Sequence, residues 1–378
     1  MKIVYCIAGT RHSGGMERVL ANKANWLVAN GHEVVVVTTD QCGERHFFPL
    51  DERIKCYDLN IGYEGNNGRS FFNKLLHYPL KQYRHRKRLS ALLQQVKPDI
   101  TISMFCNDVS FLPKIKDGSK KVLEVHFSKF KRLQYERTGL WRIADIYRSR
   151  QEDKQVRRFD RFVVLTEEDK AYWGNLPNIE VIPNARTFNP TTTATLDTKR
   201  VIAVGRYTHQ KGFERLIEAW KKICGQYSDW HLDIVGDGEE RDRLQSLIDQ
   251  YGIGDSVTLC SPTSDMDAVY RSASIVAMSS RYEGLPMILL EAQAYGLPIV
   301  SFACKCGPAD VVTDGVDGYL VPEGDAECLA DKLAKLMDDE LLRQRMGRAA
   351  RKNSERYAEE VIMRRWISLF EGLMQSCI

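Results

Sequence analysis

Two glutamates, Glu283 and Glu291, bracket the turn Gly284-Leu285-Pro286 in the stretch SSRYEGLPMILLEAQAYGLPIVSF. Paired carboxylates can act as a general acid and base when one stays protonated and the two stand roughly 5–10 Å apart. They can also accept hydrogen bonds from ligand hydroxyls, as the ribose-binding acid of dinucleotide folds does. Pro286 suits the first turn of a helix, which leaves Glu283 in the preceding loop and Glu291 more than a turn inside. Amides from Leu285 to Met287 then point into the same space and can meet phosphate oxygens. Geometry alone leaves the acid–base pair open, but carboxylates beside a phosphate site more naturally hold sugar hydroxyls.

A second constellation lies in AVGRYTHQKGFERLIEAW. Arg206 leaves the end of a strand and Lys211 precedes Gly212, where a helix begins. Two cations beside a strand end and a helix N-terminus fit a diphosphate better than they fit solvated surface charge. In GTRHSGGMERVL, Gly14 and Gly15 open a helix after a strand, which suits close approach of an anion to free amides or simply a tight turn. Neither the dinucleotide nor the P-loop glycine spacing is present. Asp265-Met266-Asp267 has the D-x-D form of a metal site, yet it begins a probable helix, where acids suit the first turn. His126, at the end of VLEVHF, would by itself be a structural or solvated histidine.

Basic residues concentrate in LKQYRHRKRL (80–89) and over 129–161, where Lys129, Lys131, Arg132, Arg137, Arg142, Arg148, Arg157 and Arg158 alternate with Phe130, Tyr135, Trp141 and Tyr147. Such segments suit an anionic membrane surface, a nucleic acid, or solvated helix faces. The net charge of +4 divides into +10 over residues 1–184 and −6 over the remainder, so only one half is suited to an anionic partner.

The composition, 43% hydrophobic and 28% charged, is that of a soluble globular protein. At 378 residues the chain should form about two domains. No apolar run approaches the ~18 residues needed to span a bilayer, and MKIVYCIAGT reads as a buried first strand, not a signal peptide. The ten cysteines lack the paired spacing of a zinc site and read as reduced thiols.

Valine-rich runs at 2–9, 32–39, 99–105, 120–127, 161–166 and 179–184 predict parallel strands covered on both faces, with helices such as 14–30 and 139–159 between them. A second series follows at 200–206, 230–237, 256–261, 274–280, 298–304 and 318–322. Two βαβ series predict an α/β chain of two doubly wound domains, 1–185 and 199–357, joined by a Thr-rich linker at 186–198. Ligands of such domains bind at the carboxyl ends of the strands, and two facing domains would enclose a central cleft. The amphipathic stretch 357–374 needs a groove for its apolar face.

The glycine pair before a helix, G-R-x-x-x-x-K-G, IVGDG and E-G-L-P-x-x-x-x-E together resemble the retaining glycosyltransferases of family 4, whose architecture of two facing Rossmann-like domains is called GT-B. The resemblance spans essentially the whole chain. It implies that Glu283 contacts hydroxyls of a donor sugar and Glu291 a nucleotide ribose. It implies that Arg206 and Lys211 hold the diphosphate, with Gly284, Leu285, Pro286 and Met287 lining the same site. Gly14 and Gly15 would bring backbone close to the donor, and 358–378 would cross back as a helix onto the first domain. His126 would lie near the sugar, in a positioning and electrostatic role.

The expected activity is transfer of a hexose from a UDP-sugar to a saccharide or lipid-linked saccharide in surface polysaccharide or lipopolysaccharide biosynthesis. No metal or other cofactor is expected. The protein is expected to be cytoplasmic, loosely docked on the inner face of a membrane through its basic half, with no nucleic-acid partner. A nucleotide-sugar epimerase of the same architecture is the alternative enzyme, and a basic nucleic-acid-binding protein the alternative binder.

Overall fold

The computed structural model describes residues 1–66, 71–131 and 139–375, without the side chains of 66, 71–76, 140, 141 and 144. The chain forms two compact units, Met1–Ile182 with Met363–Ile378, and Pro183–Ile362.

The first unit is built on seven strands: β1 Lys2–Ile7, β2 Glu33–Thr38, β3 Lys55–Asp58, β4 Ile100–Ser103, β5 Lys120–Glu124, β6 Arg161–Val164 and β7 Ile179–Val181. Their order is β3-β2-β1-β4-β5-β6-β7, with every pairing parallel. Central strands such as β2 bury their valines on both faces, which is why they read as unbroken apolar runs. Sequence periodicity missed β3, because KCYD is polar and exposed throughout at the sheet edge. The strands end earlier than expected, β4 and β5 among them. Phe105 takes a positive φ of 55° just past β4, and β5 stops at Glu124, which leaves His126 in the following loop.

The second unit repeats the plan with β8 Arg200–Val204, β9 His231–Val235, β10 Val257–Cys260, β11 Ile275–Met278, β12 Ile299–Phe302 and β13 Gly318–Val321. The order is β10-β9-β8-β11-β12-β13, again all parallel. In each sheet the strand order reverses beside the first strand, at β1/β4 and at β8/β11. Such reversal points leave a crevice at the carboxyl ends of the strands. A core around Trp220, Leu216, Ile234 and Leu333 packs against the second sheet, and Ile202, Val276, Ile299 and Leu289 are buried outside that cluster.

The stretch 186–198, expected as a linker, is instead part of the second unit. Ala194 and Leu196 are buried there, and the Arg186 guanidinium donates to Ser354 Oγ at 2.6 Å. Scattered apolar residues among the threonines supply enough burial to hold the segment down.

The last helix, Glu359–Gln375, begins in the second unit, and from Met363 onward it belongs to the first. Met363, Trp366, Phe370 and Leu373 recur at helical spacing and are buried. The Arg365 guanidinium donates to the Val181 carbonyl and ties this helix to β7. Among the described residues no helix is long and apolar enough to cross a membrane.

Candidate functional site

Three successive strand ends of the second unit build one site. After β8 the chain runs through Arg206 to Lys211 and Gly212, where helix Phe213–Ile223 starts. After β11 it runs from Ser279 through Glu283 to Pro286, where helix Met287–Ala294 starts. The two loops are fastened by backbone and side chains: Arg281 N–H donates to Gln210 O at 2.8 Å and Ser279 Oγ to Lys211 O at 3.0 Å. Gln210 Nε2 donates to Tyr282 O at 3.0 Å. Gly212 takes φ 60°, and a Cβ there would lie 2.5 Å from Ser279 O, so only glycine permits this approach.

That fastening brings Lys211 Nζ to 2.7 Å from Glu283 Oε1. Glu283 is buried and Lys211 is one-fifth exposed, so the carboxylate is compensated while the ammonium still reaches solvent. An ammonium has three donors, and Glu283 occupies one. The sequence placed Lys211 on phosphate and Glu283 on sugar; the structure makes them partners.

The third strand end, after β12, closes the turn from beneath. Glu283 N–H donates to Lys305 O at 3.1 Å. Gly307, at φ 105°, packs so closely that a Cβ would stand 2.4 Å from Pro286 Cδ. Leu285 and Pro286 are thereby buried, with Gly284 and Met287 half-buried beside them. Pro286 occupies the cap position itself, with no side-chain cap on the helix amides that follow.

Glu291 is held separately. Tyr270 Oη donates to Glu291 Oε2 at 2.6 Å, and the Tyr270 ring stacks on Tyr295 at 5.1 Å and 20°. Tyr295 Oη in turn donates to Asp267 Oδ1 at 2.6 Å. Sequence reasoning missed both tyrosines, although Tyr270 lies in the helix that starts at the D-x-D. The two acids of that motif are engaged locally: Asp265 Oδ1 caps Ala268 N–H at 3.0 Å, and Asp267 pairs with Arg271 at 2.7 Å. Arg206 is exposed just past the end of β8.

In the first unit, Gly14 is the cap residue of helix Gly15–Ala29, with no side-chain cap. The loop before it is pinned by Thr10, whose N–H donates to Gln41 Oε1 at 2.9 Å. A Cβ on Gly15 would meet open space, whereas one on Gly14 would overlap the Glu17 carboxylate. Thus Gly15 leaves room for a ligand, and Gly14 leaves room for Glu17.

His126 is nearly buried, with Nε2 3.0 Å from Glu124 Oε1. Glu124 also pairs with Lys23. Burial alone would raise the Glu124 carboxyl, but Lys23 and His126 outweigh it and hold it at about 2. No sequence motif flagged Lys23 or Glu124; the spacing of Glu124 and His126 on one strand was the available signal.

Helices Phe71–Val96 and Leu140–Gln155 carry segment 80–89 and part of segment 129–161; Lys129 and Lys131 precede the second helix, and Arg157 and Arg158 follow it in the turn Val156–Arg158. Their exposed faces carry Arg84, Lys87, Arg142 and Arg148 together with apolar groups; Tyr83, Ile143 and Tyr147 are each about two-thirds exposed. Arg132, Tyr135 and Arg137, and the Trp141 side chain, lie outside the described residues.

Two family models cover most of the chain: Glycosyltransferase Family 4 over residues 13–186 and Glycosyl transferases group 1 over residues 186–353. An uncharacterized glycosyltransferase of Haemophilus influenzae is 31% identical over 97% of this chain and 98% of its own. The amylovoran biosynthesis glycosyltransferase AmsD of Erwinia amylovora is 40% identical over 55% of this chain and 61% of its own. Among solved structures, a TarM variant of S. aureus in complex with fondaparinux, α-GlcNAc-glycerol and UDP superposes with a TM-score of 0.76 at 18% identity. That match covers 98% of this chain and 99% of the other, and it establishes a shared GT-B fold.

Proposed function

The chain belongs to the family 4 glycosyltransferases, and from that premise we propose that it transfers a sugar from a UDP-sugar, with retention of anomeric configuration, to a saccharide or lipid-linked saccharide of a surface glycan. The observation that carries the donor assignment is the Lys211–Glu283 pair at the β8/β11 reversal point, where doubly wound sheets bind their ligands. Lys211 bridges Glu283 and the donor diphosphate, with Arg206 adding charge. Glu283 meets a sugar hydroxyl, and Glu291, steadied by Tyr270, meets the ribose. The helix amides after Pro286 face phosphate oxygens. UDP in the TarM complex supports uridine as the base, and the name of the Erwinia relative supports an exopolysaccharide product.

Transfer breaks the bond from the anomeric carbon to the diphosphate and forms one to the acceptor oxygen on the same face. The acceptor proton passes to the departing diphosphate. Lys211 and Arg206 stabilise the charge that develops there, the kind of preorganised electrostatic help that dominates many enzymes. His126 of the first unit takes a positioning and electrostatic role toward the sugar.

No divalent metal or other cofactor is needed in this scheme, because two cations and a helix N-terminus already address the diphosphate. The engagement of Asp265 and Asp267 in capping and pairing supports this. The exposed aromatic and basic residues on helices Phe71–Val96 and Leu140–Gln155 support weak docking on an anionic leaflet, at the cytoplasmic face where nucleotide sugars are available.

Calorimetry with UDP, GDP and ADP, followed by product analysis with each UDP-sugar in the presence and absence of acceptor, tests the reading. UDP should bind, and turnover should require acceptor and survive EDTA. Sugar isomerised without acceptor would show an epimerase instead, and failure of every nucleotide to bind would sink the donor site.

A further inference from the structure

β5 ends at Glu124, and His126 follows two residues later in the loop, with Val125 between them buried in the core. Both oxygens of Glu124 lie 2.7 Å from Lys23 Nζ, and Oε1 lies 3.0 Å from His126 Nε2. Lys23 and Glu124 are almost wholly buried, at 5% and 1% exposure. The ammonium sits 3.5 Å from the ring centroid of Trp366, on the last helix, and 5.5 Å from that of Tyr5, on β1.

Stability does not require this arrangement. Each buried charge costs several kcal/mol to desolvate, and an apolar pair of equal volume often serves a core as well or better. The pair instead bears on the imidazole. Both ring nitrogens are buried and make no hydrogen bond among the described residues, but Nε2 stands 3.0 Å from the Glu124 carboxylate whereas Nδ1 has no such charged neighbour. A ring nitrogen beside a carboxylate retains the proton, which leaves the other as the acceptor.

We propose that Glu124 and Lys23 are positioning residues for His126: the carboxylate selects the Nε2–H tautomer, and the lysine against Trp366 sets how much negative charge the imidazole meets. Nδ1 is thereby left to accept a hydrogen bond from a sugar hydroxyl. Only the identity of that ligand rests on the glycosyltransferase reading; tautomer and charge are properties of the unit itself. Among the described residues, Glu124 from β5 faces the ring, Lys23 from helix Gly15–Ala29 pairs with Glu124, and the Tyr5 ring from β1 lies beside Lys23. The last helix contributes the uncharged Trp366.

The test is nitrogen NMR of the full chain with labelled histidine, the His126 signals being assigned by their loss in His126→Gln. The neutral ring should carry its proton on Nε2. Glu124→Gln should abolish the preference for Nε2–H, and Lys23→Met should leave it in place. Loss of the preference with one partner and not with the other is not what a purely structural ion pair gives. The double variant Lys23→Met with Glu124→Gln removes both charges at similar volume, and it decides the matter if either single variant fails to fold. It should erase the tautomer preference and lower kcat by about tenfold, with donor KM unchanged. A tautomer unmoved in every folded variant would overturn the proposal. UDP binding is measured alongside. Its absence from the native chain would sink the donor reading and leave the tautomer result standing, whereas intact UDP binding with an unmoved tautomer sinks only the positioning role.

Discussion

Lys211 and Glu283 are 72 positions apart in sequence and 2.7 Å apart in the fold. The pair joins the loops that follow β8 and β11, and each partner limits what the other can do. Without Lys211, Glu283 would be a buried carboxylate left uncompensated. Without Glu283, Lys211 would lose the contact that orients it.

Lys211→Ala should therefore weaken UDP binding and lower kcat together, each by about 10- to 100-fold, since hydrogen bonds to charged groups contribute about 1.5–3 kcal/mol. Glu283→Gln should leave UDP affinity near native and lower transfer, because the sugar contact is lost and the diphosphate contact is not. Calorimetry and initial rates separate the two effects. Native values in both variants would remove this pair from the site.

Tyr270 supports Glu291 through a 2.6 Å hydrogen bond. Tyr270→Phe keeps the stack on Tyr295 and deletes that bond, worth about 1 kcal/mol. Donor KM should rise about fivefold with little change in thermal midpoint, and Glu291→Ala should raise it further. Equal KM for Tyr270→Phe and the native enzyme would show that Glu291 needs no such support.

Gly307 has φ 105° and lies against Pro286. Gly307→Ala should cost about 1–3 kcal/mol of stability and displace the turn that carries Glu283. The control is Gly225→Ala, where an added Cβ meets open space. Thermal melts should show a lower midpoint for the first and not the second, with weaker donor binding only in the first. Matching melts would contradict the close packing.

Asp108 is fully buried, with Ser103 Oγ donating to Oδ1 at 2.7 Å and no hydrogen-bond partner for Oδ2 among the described residues. Burial pushes its carboxyl up to about 6. The folded chain thus holds this proton longer than the unfolded chain, whose Asp ionises near pH 4. This group's contribution to stability is complete below about pH 4 and is lost as pH rises through about 6. Asp108→Asn should flatten that part of the curve in urea titrations across the interval. Parallel native and variant curves would show that Asp108 ionises freely.

Much of this was legible in the chain. Unbroken valine runs announced parallel strands, because a strand covered on both faces has no polar side to alternate. E-G-L-P and G-R-x-x-x-x-K-G were readable as turns between a strand end and a helix start, and the structure brings those two loops together. The edge strand β3 was illegible because nothing covers it, so KCYD carries no apolar signal. The segment 186–198 misled because a few buried residues, Ala194 and Leu196 among them, anchor a stretch whose composition is otherwise that of a linker.

The sequence by itself determined the two sheets, the family and the residues that carry charge to the strand ends, since periodicity and turn chemistry are local. Only the tertiary structure decided the partners: Lys211 with Glu283, Tyr270 with Glu291, and Lys23 with Glu124 across 101 positions. Parallel crossovers bring distant strand ends together, and which side chains then meet depends on sheet register and loop path. No local pattern of residues encodes either.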